Sequence, residues 1–363
     1  MNTDKHIKSI DIENFRSFDK LTVEDFSQVN VIIGRNNSGK TALMEAIILA
    51  FMSAANEDIL FALNQIRGIT NRDIEKIRLF FFNLNFLNTI KFKINFNKEE
   101  ERLISIRALV SNLYPSEKTT TQHFEKNSTT LFSTPSSFNQ IIISTEIDSS
   151  GRSIDFSFLF NKSSNTYLID KSNEIDTLRF IIYIPPTNTG SAVLNFVKGL
   201  VKSKQTTMLL SALQSIDKRI RNISVIGEEI FFDVDGISEL MPMSLMGDGT
   251  EKIISCLTPV VVSNTSTAVF IDEIENGLHY SAHKTLWNGL LDQSKESGCQ
   301  LFVTTHNIET LRYLDEALSN RPDMQSKLRV FDLVKTKNAG FQAYKYTYEG
   351  LSNAIELGNE IRL

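Results

Sequence analysis

The chain has 363 residues, and 38 lysines and arginines stand against 43 aspartates and glutamates for a formal charge of -5. That balance argues against a dedicated nucleic-acid coat protein, and 41% hydrophobic with 22% charged residues excludes a wholly disordered, collagen-like or many-spanning membrane protein. Single cores stop growing near roughly 250–300 residues, so the length predicts one large core plus an inserted lobe. Cys256 and Cys299 belong to no CxxC, which removes a disulfide framework and a structural zinc site and fits a cytoplasmic, reducing setting. Residues 1–9 are too polar for a secretory signal. The longest uncharged stretch, 253–271, is broken by Pro259 and by the polar run 263–267, so no membrane span is expected.

In chain order, Ile7, Ile10 and Ile12 alternate with polar residues, Phe15-Arg16-Ser17-Phe18 turns the chain, and 29–33 reads as a buried strand ending at Gly34. Leu43, Ala46, Ile47, Ala50 and Phe51 recur at helical spacing, which predicts an amphipathic helix from 41 to about 54. From about 67 to 175 the character becomes Phe-rich and β-branched. Segments 90–96, 141–147 and 154–160 predict hairpins, and residues 67–175 are read as the inserted lobe. Within it, 116–139 holds 11 serines or threonines among 24 residues, a composition expected of a flexible loop. Residues 180–184 predict another strand, ending at Pro185-Pro186. Two helical patterns follow, through Val193, Phe196, Val197 and Leu200, then through Leu209, Leu210, Leu213, Ile216 and Ile220. Lys198, Lys202, Lys204, Lys218, Arg219 and Arg221 decorate them; a solvated face is the commoner reading of such helices, with nucleic acid the rival.

Gly34-Arg35-Asn36-Asn37-Ser38-Gly39-Lys40-Thr41 matches GxxxxGK[ST], with Ala42 next in the helix. Glycines let such a loop wrap closely, so that backbone N–H groups and the helix N-terminus meet phosphates; Lys40 adds a point charge and the Thr41 hydroxyl ligates Mg²⁺. The pattern can match by chance in an ordinary loop; the strand before it and the helix after it favour a phosphate-binding loop. Farther on, an apolar strand ends in Asp272-Glu273. An acidic pair there can be a solvent-facing turn; coupled to the upstream loop, Asp272 is read as the metal residue and Glu273 as the group that orients or deprotonates the attacking water. Residues 300–304 predict one more strand, closing on Thr305-His306-Asn307, where His306 can donate to a γ-phosphate oxygen. Residues 244–252 open a helix carrying Ile253, Ile254 and Leu257, either as a plain N-cap or as a second phosphate-facing helix terminus.

Taken in order, FRSF, GRNNSGKT, SLMGDGTEK, FIDEIENGLH and TTHN resemble the ATP-binding-cassette ATPases of the RecF, SMC and OLD group, most of all the stand-alone AAA family ATPases of bacterial two-gene defence operons. The resemblance covers residues 1–66 and 176–363 and implies an α/β P-loop NTPase whose head has a mixed sheet flanked by helices, with 67–175 inserted. It implies a homodimer or higher oligomer in which ATP is clamped between the Lys40 loop of one copy and a signature formed by Ser244, Met246, Gly247, Asp248 and Gly249 of another. It also implies that Arg16 lies near the nucleotide, that 276–279 form the D-loop and that His306 is the switch histidine. The signature reads SLMGDG where transporters and SMC proteins have LSGGQ, and Gln140 and Gln205 are the candidates for the Q-loop glutamine. No heptad arm is present. The 57 residues after His306 are too few for a TOPRIM domain plus the remaining core, so nuclease activity is not expected. Asp233-Val234-Asp235-Gly236 resembles a GTPase DxxG but reads as a hairpin turn, and His279 with His283 lacks the base a zinc protease needs between them.

The leading expectation is an ATPase whose nucleotide state controls an effector protein encoded nearby, in anti-phage defence. Two rivals stay open, a RecF-like DNA-bound repair ATPase and an oligomeric scaffold with structural ATP.

Overall fold

The computed structural model describes residues 5–52, 78–96, 100–109, 140–147, 152–161, 166–171, 180–186, 190–214 and 217–357. The stretch 116–139 lies outside them.

Three apolar runs become the middle of a six-stranded sheet. β3 (Val29–Ile33), β13 (Thr267–Ile271) and β14 (Gln300–Thr304) are buried at every position, as parallel strands covered on both faces must be. The order is β16-β15-β3-β14-β13-β9, with β9 (Phe180–Ile184) parallel to β13 and β15 (Leu328–Thr336) parallel to β3. Only β16 (Gly340–Tyr346) runs antiparallel. The sheet is therefore mixed.

Strand side chains alternate between two cores. Val31, Val269, Ile271, Leu301 and Val303 enter one core with helices that include α2 (Gly190–Ser203), α3 (Thr207–Gln214), α4 (Asp248–Val261), α5 (Tyr280–Ser297) and α6 (Ile308–Leu318). Ile32, Ala268, Phe270 and Phe302 enter the other, with α1 (Lys40–Met52) and an antiparallel sheet. That second sheet begins with β1 (Ser9–Phe15) and β2 (Phe18–Glu24), and strands from 90–171 extend it in the order β2-β1-β4-β5-β6-β7-β8. These added strands are β4 (Ile90–Asn95), β5 (Glu101–Leu109), β6 (Gln140–Ile147), β7 (Arg152–Asn161) and β8 (Thr166–Lys171).

One helical expectation is corrected. The pattern through Leu213 and Ile220 ends early: α3 stops at Gln214, and Ile220, buried, opens β10 (Ile220–Ile226). The side chain of Asp217 accepts from the Arg219 N–H at 3.0 Å, and the Gln214 amide donates to the Ile220 carbonyl at 2.9 Å, so local side-chain bonds turn the chain where periodicity would continue it. β10 pairs with β11 (Glu229–Val234), and residues 235–240 connect β11 to the antiparallel β12 (Met241–Pro242). The Asp233 to Gly236 stretch is thus a strand end and turn, with Gly236 at φ 83°.

Candidate nucleotide site

The loop after β3 is shaped by its glycines. A Cβ on Gly34 (φ 143°) would lie 2.5 Å from Ser38 Oγ and 2.8 Å from the Leu333 carbonyl; one on Gly39 (φ 92°) would lie 2.9 Å from the Phe18 ring. Neither position accepts a side chain. Lys40, 7% exposed, donates from Nζ to the carbonyls of Gly34 at 2.7 Å and Arg35 at 3.0 Å. Burial pushes its pKa below the ordinary lysine value, against the pull of Glu275, Glu273, Asp272 and Asp332. Ser38 Oγ is buried and has no hydrogen-bond partner among the described residues.

Asp272 follows the last residue of β13 and gathers donors from three neighbouring elements. Thr41 Oγ1 of α1 donates at 3.0 Å, the Tyr183 hydroxyl of β9 at 3.1 Å, and Thr304 Oγ1 of β14 to the other carboxylate oxygen. Parallel strands put these residues together because their C-terminal ends share one edge of the sheet. Glu273 adopts φ 46°, unusual for a residue with a side chain, and its N–H donates to Thr304 Oγ1 at 2.7 Å. Asn276 Nδ2 donates to Glu273 Oε2 at 2.6 Å. The His306 backbone N–H donates to Glu275 Oε1 at 2.9 Å, and the ring Nδ1 lies 2.8 Å from the same oxygen.

These groups open on a cleft of about 940 Å³ lined by residues 36–42, Glu273 and His306, and also by Arg16, Ser17, Leu79, Phe81, Asn83 and Leu84. Gly34 and Arg35 meet Lys40 through their carbonyls. Arg16 lines the cleft, but its guanidinium is engaged: Nε and one terminal nitrogen donate to the Glu45 carboxylate of α1 at 3.1 and 3.3 Å, the other donates to the Leu79 carbonyl, and the group sits 4.2 Å over the Phe80 ring.

The signature residues do not join this cleft. Ser244 lies in a short 3-10 turn, Met243–Leu245; Met246 follows it, and Gly247, at φ 85°, precedes α4, which begins with Asp248 and Gly249. Ser244 and Gly247 are exposed. Lys252 on the same helix, 6% exposed, reaches the Glu273 carbonyl at 3.4 Å. Gln140 opens β6, and Gln205 is exposed just after α2, accepting from Ser203 Oγ. His279 precedes α5 with its ring on Ser281, while His283 is buried against Tyr313.

Sequence reasoning assigned no role to Tyr183, Thr304, Glu275, Glu45 or residues 79–84. Tyr183 and Thr304 carried a usable signal, since each is a polar residue at the end of a strand expected beside β13. Glu45 carried none: a carboxylate in an apolar helix face acquires meaning only when Arg16 is seen opposite.

The family described as "AAA domain, putative AbiEii toxin, Type IV TA system" matches residues 29–312. The chain belongs to this family. Across 346 residues it is 23% identical to an ATP/GTP phosphatase of Helicobacter pylori, a match covering 90% of this chain and 92% of that protein. Over 47 residues, 13% of each chain, it is 49% identical to the DNA replication and repair protein RecF of Oceanobacillus iheyensis. A solved Smc head bound to the C-winged helix domain of ScpA aligns over 97% of this chain and 99% of its own at 13% identity, with a TM-score of 0.49. The protein is an ATPase of the AAA/ABC type. No helix among the described residues is long and apolar enough to cross a membrane.

Proposed function

We propose that this family member binds ATP with Mg²⁺ between the Lys40 loop of one copy and the Ser244 to Gly249 signature of a second, hydrolyses it slowly, and uses its nucleotide state to control an effector protein encoded nearby, in defence against phage. The carrying observation is the cluster at the sheet edge: a glycine-shaped loop around Lys40 beside a carboxylate, Asp272, bonded to Thr41.

In this reading, backbone N–H groups of the loop, Lys40 and the orphaned Ser38 hydroxyl bind the triphosphate. Thr41 and Asp272 are hard oxygen donors in mutual contact and fit Mg²⁺, which would neutralise charge on the phosphates. Glu273 takes the proton of the attacking water on its carboxylate, which Asn276 holds in orientation. His306, fixed through Glu275, donates to a γ-phosphate oxygen. The signature stands away from the cleft of its own chain, so a lone copy has an incomplete site and low turnover. The chain is read as lacking nuclease activity.

Effector control is favoured over DNA binding because three of the six basic residues around α2 and β10 already have acidic partners. Lys198 pairs with Glu228, Arg219 with Asp217 and Arg221 with Asp235, which leaves less positive surface for phosphates.

Lys40→Ala tests the reading. It should abolish ATP binding by calorimetry while the chain stays folded, and the product of the adjacent gene, co-expressed, should be retained by wild type differently in ATP and ADP and by the variant without that difference. Unchanged ATP affinity would sink the nucleotide site. Tight DNA binding that weakens steeply with salt, with no nucleotide-dependent partner, would replace effector control with a repair role.

A further inference from the structure

The phosphate-facing residues account for only part of the cleft. Beside Arg16 and Ser17, the remaining lining comes from Leu79, Phe81, Asn83 and Leu84, in a segment of different chemistry. Phe80, Phe81 and Phe86 are buried at 1–3% exposure, whereas Leu79 and Leu84 stand 40% and 46% exposed at the cleft. Solvent-facing leucines beside a polar phosphate loop have no role in binding phosphate. They suit a flat apolar group.

The segment is held firmly. The Arg16 N–H donates to the Phe80 carbonyl at 2.7 Å and its guanidinium to the Leu79 carbonyl at 3.1 Å, Phe81 bridges Phe15, and Arg78 Nε donates to the Leu84 carbonyl at 2.9 Å. Within it Asn83 (φ 51°) and Leu84 (φ 56°) are consecutive left-handed residues with side chains. Such backbone persists where its surroundings over-determine it, and it recurs at ligand clamps. Asn83 lines the cleft together with both leucines.

We infer that Leu79, Asn83 and Leu84 form a nucleobase subsite in which the Asn83 carboxamide reads the edge of adenine. This rests on the nucleotide reading of the Lys40 loop. An amide carries a donor and an acceptor side by side, and adenine presents the complement, its N6 amino group beside a ring nitrogen. Guanine presents two acceptors on its N7 edge, and on its other edge an amide paired with O6 and N1–H leaves the 2-amino donor unmet, whereas a carboxylate accepts from both N1–H and the 2-amino group. The leucines cover the faces of the base, as apolar side chains do in most small-molecule sites.

The test measures dissociation constants for ATP, GTP and inorganic tripolyphosphate on wild type, Asn83→Ala and Asn83→Asp; aspartate also tolerates the left-handed backbone. Wild type should prefer ATP. Asn83→Ala should weaken ATP about tenfold, on the scale of losing one polar recognition contact, and leave tripolyphosphate binding unchanged. Asn83→Asp should invert the preference towards GTP. If both variants bind ATP and GTP as wild type does while tripolyphosphate still binds, the base subsite is wrong and the phosphate site stands. If tripolyphosphate fails to bind wild type, both readings fall.

Discussion

Glu273 leaves β13 in the left-handed region at φ 46°, with its N–H on Thr304 and its carboxylate on Asn276. Backbone of this kind costs of order 1 kcal/mol for a non-glycine residue, so the surrounding bonds act to keep one carboxylate at one place beside the cleft. A carboxamide has the same shape and can still meet Asn276, but it cannot accept a proton from water. Glu273→Gln should therefore lower the rate of ATP hydrolysis by about 100-fold or more and leave ATP affinity intact, as measured by steady-state phosphate release beside calorimetry. Turnover equal to wild type would move the base elsewhere, with His306 or Glu275 the next groups to examine. The loop, Asp272, Glu273 and His306 were legible in the sequence because each sits in a short contiguous pattern bounded by a strand or helix signal. The Arg16 to Glu45 contact was not, because it joins residues 29 positions apart through packing of β1 against α1, and nothing in either local pattern announces the other.

At the scale of elements, α5 and α6 keep Thr304, His306 and Glu273 in register by packing behind β13 and β14. Trp287 is the clamp. It is fully buried, and its indole N–H donates to the Thr310 carbonyl at 3.0 Å, tying α5 to α6 just after the His306 turn. Trp287→Phe removes that donor and leaves a cavity, which should cost about 2–3 kcal/mol of stability, read as a lower denaturation midpoint by circular dichroism with an unchanged denaturant slope. An unaltered midpoint would mean that the α5–α6 packing rests on other contacts. Strands β3, β13 and β14 could be placed from apolar runs alone, since parallel strands buried on both faces need no alternation. The helix expected through Ile220 failed for a related reason. Apolar spacing of three and four residues is shared by a helix face and by a helix followed by a strand, and only the Asp217 turn distinguishes them. Residues 79–84 escaped altogether, because their conformation is set by Arg16 and by buried phenylalanines rather than by any repeating pattern.

For the whole molecule, the decisive feature is that the signature segment and the Lys40 loop of one chain do not share a cleft. Ser244 and Gly247 are exposed, and Leu245 between them is 70% exposed. If the partner is a second copy, closure is two-fold: each signature faces the other copy's triphosphate, and both sites form together. Glu273→Gln, unable to turn over, should then accumulate as dimers in ATP and remain monomeric in ADP by analytical ultracentrifugation. Adding Ser244→Glu puts a negative charge where the opposing γ-phosphate would arrive, and like charges brought together out of water repel strongly. The double variant should bind ATP as tightly per chain as Glu273→Gln alone yet stay monomeric. Loss of ATP binding by the monomer would instead place Ser244 at its own chain's nucleotide, and persistence of the dimer would put the contact between copies on a different face.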